Sequence, residues 1–125
     1  MATKATHDST PATPTARGAA AEQAAAEHLE RQGLRVLRRN YRVKGGEIAL
    51  ICRDRNVLVF VEVRARASSA FGGAAASIDA RKRARLVLAA RHYLQTQPDT
   101  PCRFDCVLFD AGRLSWLKNA FDADA

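Results

Sequence analysis

The sequence contains no run of about 18 apolar residues, which excludes a transmembrane helix. Its N-terminus has no basic segment followed by an apolar stretch, which argues against a secretory signal. Cysteine is scarce. Cys52, Cys102 and Cys106 include no C-x-x-C pair, and no second ligand cluster accompanies them, which argues against a zinc centre. Cys52 and Cys106 sit in apolar β-type runs, where a free thiol acts as a small hydrophobe, and a reducing cytoplasm fits that usage. Residues 1–16, M-A-T-K-A-T-H-D-S-T-P-A-T-P-T-A, lack any periodic apolar pattern. Such a Thr/Ala/Pro segment buries too little surface to offset its ordering entropy, so a disordered tail is predicted there. A single folded domain is predicted over 17–122.

What is present is a core and an excess of positive charge. With 125 residues and 47% hydrophobic content, the chain is long enough for one core and is not wholly disordered. The formal charge of +7 favours polyanionic partners, chiefly nucleic acid. An anionic surface, or a soluble protein that is merely basic, are the alternatives.

Along the chain, residues 18–32 read as an Ala-rich helix. Ala21, Ala25 and Leu29 form its apolar stripe, and Gly33 ends it. Residues 34–39 read as a strand and 40–45 as a basic turn. The small, Gly-containing stretch 67–76 reads as a loop, with Phe71 as its one large side chain. Ser77 is the predicted N-cap of a long helix over 78–95. That helix carries Arg81, Lys82, Arg83 and Arg85 in its first turns. Cations there oppose the helix dipole, so the segment presents charge either to an anion or simply to solvent. His28 and His92 are single helical histidines, read as surface or capping residues. Residues 103–109 read as a core strand interrupted by Asp105, residues 110–112 as a turn, 114–117 as a short last strand and 121–125 as an acidic tail. The order of helix, strands, long helix and strands predicts an α/β fold with a mixed sheet of about four or five strands flanked by helices.

The stretch 46–66 is the centre of this pattern. Two β-type runs, 47–52 and 57–64, flank the polar turn 53–56, which reads as a hairpin. The second run is nearly continuously apolar, as in strands covered on both faces. Within it stand Glu62 and Arg64. Burying a carboxylate costs several kcal/mol unless it is paired or binds a cation. Glu62 therefore belongs either to an ion pair with Arg64 or Arg66, or to a chemical site.

The motifs G-E-I-x-L-I at 46–51, V-F-V-E-V-R at 59–64, F-G-G-A-A-A-S at 71–77, Lys82 and C-R-F-D at 102–105, after Gly18, Glu22, Leu29, Gly33 and Asn40, occur in an order that resembles the YraN family of bacterial proteins. That family is similar to the restriction-endonuclease-like PD-(D/E)-x-K superfamily and to Holliday-junction resolvases. The resemblance implies a restriction-endonuclease-like sheet flanked by helices and a nucleic-acid-related role. In that superfamily carboxylates on two strands and on the first helix gather Mg²⁺, and a Lys accompanies the last of them. Carried onto this chain, the first-helix acid is Glu22 and the acidic-x-Lys motif is Glu62-Val63-Arg64.

Two positions depart from the pattern. Ala49 stands at the Asp position, and Glu47, two residues earlier, is the candidate substitute. Arg64 stands at the Lys position, and a guanidinium binds phosphate but is a poor proton acceptor. The implied catalytic set is Glu22, Glu47, Glu62 and Arg64, with Glu47 and Glu62 as ligands of a weakly bound Mg²⁺ or Mn²⁺. The phosphate contacts are Arg66, Arg81, Lys82, Arg83 and Arg85 beside Arg64. The leading expectation is a cytoplasmic nuclease-like protein that binds DNA through a degenerate metal site, with no membrane partner. An active Mg²⁺-dependent endonuclease on branched DNA, and a protein-interaction module with a basic surface, are the alternatives.

Overall fold

Runs rich in Val, Ile, Leu and Phe occupy the middle of the chain, and in the computed structural model they become the sheet. The structure describes residues 14–68 and 72–123. In chain order the elements are α1 (Pro14–Arg31), β1 (Arg35–Val43), β2 (Gly46–Asp54), β3 (Val57–Arg66), α2 (Gly73–Ala76), α3 (Ala80–Leu94), β4 (Cys102–Asp110) and β5 (Arg113–Phe121). The five strands lie side by side in chain order. All neighbours are antiparallel except β3 and β4, which are parallel. A parallel pair needs a long crossover, and α2 with α3 supplies it. This is the predicted α/β arrangement of a mixed sheet flanked by helices.

β3 is apolar along most of its length because both of its faces are covered. On one face Ala25, Ala26 and Leu29 of α1 pack with Val59, Val61, Val63 and Val107. On the other, Leu86, Ala89, Ala90 and Tyr93 of α3 pack with Ile48, Ile51, Leu58 and Phe60. α1 closes as the sequence suggests. Gly33 takes φ 98°, its N–H donates to the Glu30 carbonyl, and the Leu34 N–H donates to the Leu29 carbonyl at 3.0 Å. That pair of bonds satisfies carbonyls the helix would leave open.

Several boundaries differ from the sequence reading. α1 begins at Pro14, and proline is suited to a first helical position because its missing N–H has no helical partner there. Residues 14–16 of the expected tail are thus helical, and 1–13 lie outside the described residues. β1 continues through the expected turn at 40–43. A register shift between Val36 and Arg38 and a positive φ of 51° at Asn40 bend it and break the alternation that would have marked it. The stretch 73–76 is the short helix α2, while Phe71 lies outside the described residues. The cap of α3 is Asp79, not Ser77: Asp79 Oδ1 accepts from the Lys82 N–H at 3.0 Å. β5 reaches Phe121, whose ring stacks on Phe104 with centroids 5.0 Å apart.

Gly46 brings β2 against α3. A Cβ there would stand 2.5 Å from the Arg85 carbonyl oxygen and 3.0 Å from the Ala89 nitrogen. Both are backbone atoms that cannot swing aside. Gly46→Ala is expected to cost about 1–3 kcal/mol by overpacking, read from the midpoint of urea unfolding.

Candidate functional site: a basic fork at the end of the sheet

The ladder between β2 and β3 runs only from Asp54↔Val57 to Leu50↔Val61. Beyond it, β2 stays with β1 as far as Gly46↔Val43, and β3 stays with β4 as far as Arg66↔Asp110. The two central strands therefore part, and Glu47 and Glu62 lie on opposite arms of the fork. The opening is at the carboxyl ends of the parallel strands β3 and β4, where open α/β sheets bind ligands.

Glu62 is 8% exposed. Arg64 Nη1 stands 3.9 Å from its Oε2, so the ion pair considered from sequence is present. Burial pushes the Glu62 carboxyl above the usual range. Lys82 and Arg64 pull it down, and Glu47 and Glu22 push it up. Arg64 is held from the other side, where its Nε donates to Ser77 Oγ at 2.9 Å. Ser77 Oγ in turn donates to the Ala74 carbonyl at 2.6 Å. The residue expected to cap α3 thus orients a guanidinium of the fork. Glu47 faces Arg85 at 3.6 Å. The Glu22 carboxyl is raised by burial and by Glu47, and lowered by Arg42 and Arg39.

The three predicted acids thus reach one another electrostatically from α1, β2 and β3. Among the described residues, however, no three His, Cys, Asp or Glu side chains stand close enough to hold a metal ion. Ala49 packs in the α1-side core and offers no oxygen. What fills the fork is cationic. One groove is lined by Glu47, Arg64, Asp79, Arg81, Lys82 and Arg85, among others. A second, lined by Glu22, Val63, Arg64 and Arg66, opens toward α1. Arg64 borders both. Arg83 borders neither: its Nη1 donates to the Ile78 carbonyl at 3.1 Å, and its guanidinium lies 6.0 Å from the Phe121 ring centre.

Among the described residues, His28, His92 and Asp105 hold packing contacts away from the fork. His28 meets Trp116 edge-on at 6.0 Å, and His92 Nδ1 bonds the Tyr41 hydroxyl at 2.6 Å. Asp105 is fully buried. It accepts from Arg103 Nε at 2.9 Å and Nη2 at 3.2 Å, from Trp116 Nε1 at 3.0 Å and from the Asn119 N–H at 2.9 Å. The only sequence signal for this network is an aspartate inside an apolar strand.

A raised carboxyl pKa has a signed consequence. The folded protein holds the Glu62 proton to higher pH than the unfolded chain does. The stability this gives is present below the ordinary carboxylate range and is lost as pH rises through the raised value. Glu62→Gln, an isostere of the neutral acid, is expected to melt above the parent at neutral pH. The gap should close as pH falls toward the ordinary carboxylate range. Calorimetric melting across that range reads it, and an unchanged or lowered melting temperature at neutral pH contradicts it.

The model of a group described as uncharacterised protein family UPF0102 matches residues 21–109, from α1 through most of β4. A UPF0102 protein of Dechloromonas aromatica is 65% identical over 112 residues, covering 90% of this chain and 93% of that protein. One from Cupriavidus taiwanensis is 60% identical over 112 residues, covering 88% and 86%. One from Pseudomonas entomophila is 54% identical over 119 residues, covering 89% and 97%.

Proposed function

Because the chain belongs to the uncharacterised protein family UPF0102, whose name assigns no activity, we propose its function from the fork itself: a cytoplasmic nucleic-acid-binding protein of nuclease-like fold with a degenerate metal site. The motifs that resemble YraN supply the frame for this reading. Acids on the first helix and on two parting strands are the arrangement that the restriction-endonuclease-like resemblance implies.

The observation that carries the proposal is the pairing of acid with base inside the fork. Glu47 faces Arg85 at 3.6 Å and Glu62 faces Arg64 at 3.9 Å, while Arg81 and Lys82 line the groove that Glu47, Arg64 and Arg85 border. Mg²⁺ demands near-octahedral oxygen ligands. Glu47 and Glu62 offer hard oxygens, but Ala49 offers none and the cations already face the acids. The residues therefore fit a metal poorly, and the site's chemistry is that of phosphate binding. Guanidinium groups pair phosphate oxygens bidentately, and a lysine adds a point charge. DNA, preferably branched, is the proposed partner, with Arg64, Arg66, Arg81, Lys82 and Arg85 as its phosphate contacts.

A second reading, an active Mg²⁺-dependent endonuclease, is favoured by one observation: Glu22, Glu47 and Glu62 sense one another's charge. Calorimetric titration with Mg²⁺ and Mn²⁺ separates the two. The parent is expected to bind either metal weakly. The double variant Ala49→Asp, Arg64→Lys restores a carboxylate and a lysine, and should bind at least about tenfold more tightly, a gain of roughly 1.4 kcal/mol. No gain contradicts the degenerate-site reading. So does metal-dependent cleavage of branched DNA by the parent that disappears in Glu62→Gln.

A further inference from the structure

A separate hollow shares no lining residue with either groove of the fork. Its walls include Ile78 after α2, Cys106 and Leu108 on β4, and Leu117 and Phe121 on β5, with one cation, Arg83. Its cavity volume is about 160 Å³. A cavity of about 150 Å³ lined by Leu, Ile and Phe takes a benzene ring. Leu117 is 44% exposed, which leaves the apolar wall open to solvent at β5.

The cation gives the hollow a chemical preference. Arg83 supplies a planar, delocalised guanidinium. Its Nη1 is committed to the Ile78 carbonyl, and the Phe121 ring lies beneath the guanidinium. Its Nε is buried and has no hydrogen-bond partner among the described residues. Buried donors almost always have an acceptor, and one on a charged group is the most costly to leave open. A guanidinium is a charge-assisted partner for a carboxylate. Phosphate is a poorer match, because the remaining walls are apolar and offer a multiply charged oxyanion nothing in exchange for its hydration.

We propose that this hollow binds a small apolar monocarboxylic acid, with its carboxylate against the guanidinium of Arg83 and its hydrocarbon part against Ile78, Leu108, Leu117 and Phe121. The site is independent of the fork, and the proposal stands or falls separately from nucleic-acid binding.

The test is a methyl-detected NMR titration of the full chain with benzoate and with 3-methylbutanoate, beside benzyl alcohol and acetate. Both acids should shift the Ile78, Leu108 and Leu117 methyls saturably at millimolar concentration. Benzyl alcohol lacks the charge and acetate lacks the apolar body, so each should bind at least about tenfold more weakly. Arg83→Met keeps the stem and removes the charge, and should lose the preference for acid over alcohol. Ala120→Leu, at the solvent-exposed rim, fills the hollow without touching the guanidinium and should abolish the shifts. It carries the test if Arg83→Met fails to fold. No saturable shift with either acid, equal affinity for benzyl alcohol, or binding that survives Ala120→Leu overturns the proposal.

Discussion

Asp105→Ala is expected to lose about 3–5 kcal/mol of stability, enough to bring a domain of this size close to unfolding. Asp105 is fully buried and accepts bonds from Arg103, Trp116 and the Asn119 N–H. Arg103 is also 3.0 Å from Asp54 Oδ2 on β2. One carboxylate thereby fastens β4 to β5, and through Arg103 ties both to β2. Removing it leaves a part-buried guanidinium with Asp54 alone and strands an indole N–H and a backbone N–H. Removing one partner of a buried pair costs far more than the pair contributes net, because the partners left behind have already lost their water. Arg103→Met should cost less, since Trp116 and Asn119 still donate to the carboxylate. Urea unfolding with an unchanged slope reads both. A loss below about 1 kcal/mol for Asp105→Ala would show that water replaces the partners, and the fastening role would be wrong.

Reversing Arg81, Lys82 and Arg85 to Glu is expected to weaken DNA binding by at least roughly 100-fold, about 2.8 kcal/mol. These three residues line the groove beside Arg64 and Glu47. For every phosphate that the variant no longer neutralises, the slope of log affinity against log salt should also become shallower by about 0.9. The fold should persist, because acids near the start of α3 agree with the helix dipole where the native cations oppose it. Reversal also leaves Glu47 without Arg85, but that pair is largely exposed and contributes little. Arg83 provides the contrast. It follows Lys82 in sequence, yet its guanidinium is turned to Ile78 and Phe121, so Arg83→Ala should leave DNA affinity within about twofold. Equal losses on changing Arg83 and on changing Arg81 would mean that the basic helix acts by net charge alone. An undiminished affinity in the triple variant would make the groove a solvated face.

The unequal fate of these neighbouring cations marks where sequence reasoning stops. Residues 81, 82, 83 and 85 share composition and differ only in which side of a helical turn meets the sheet. From sequence the helix offers only a broad apolar band of Ile78, Ala84, Val87, Leu88, Ala89, Ala90, Tyr93 and Leu94, whereas the structure buries Leu86, Ala89, Ala90 and Tyr93 and leaves Leu88 exposed. Arg83, at the edge of that side, is half-buried in a way set by β5, which is remote in sequence. The α/β class and the covered strand β3 are legible because an apolar run of that length has few other uses. The stripe of α1 is legible for a similar reason, since Ala21, Ala25 and Leu29 recur at helical spacing. The first part of β1 is legible as the strand over 34–39, but its continuation to Val43 is not, because the bulge near Leu37 and the positive φ at Asn40 break its alternation. The cap of α3 is ambiguous in sequence because Ser77 and Asp79 both suit that position, and only the structure places the Ser77 hydroxyl on Arg64. That Glu22, Glu47 and Glu62 feel one another's charge follows from motif order and not from spacing. Spacing gives no sign that Arg85 and Lys82 cross from α3 to face those acids.

The most direct measurement is the binding of a labelled branched DNA junction by the parent protein across a salt series, once with the metal chelated and once with Mg²⁺, with the strands then examined for cleavage. A phosphate-binding fork with a degenerate metal site predicts tight binding that needs no metal, a steep fall with salt from phosphate neutralisation, and intact strands in both series. Binding that is absent or indifferent to salt, or strands cut only when Mg²⁺ is present, would contradict it.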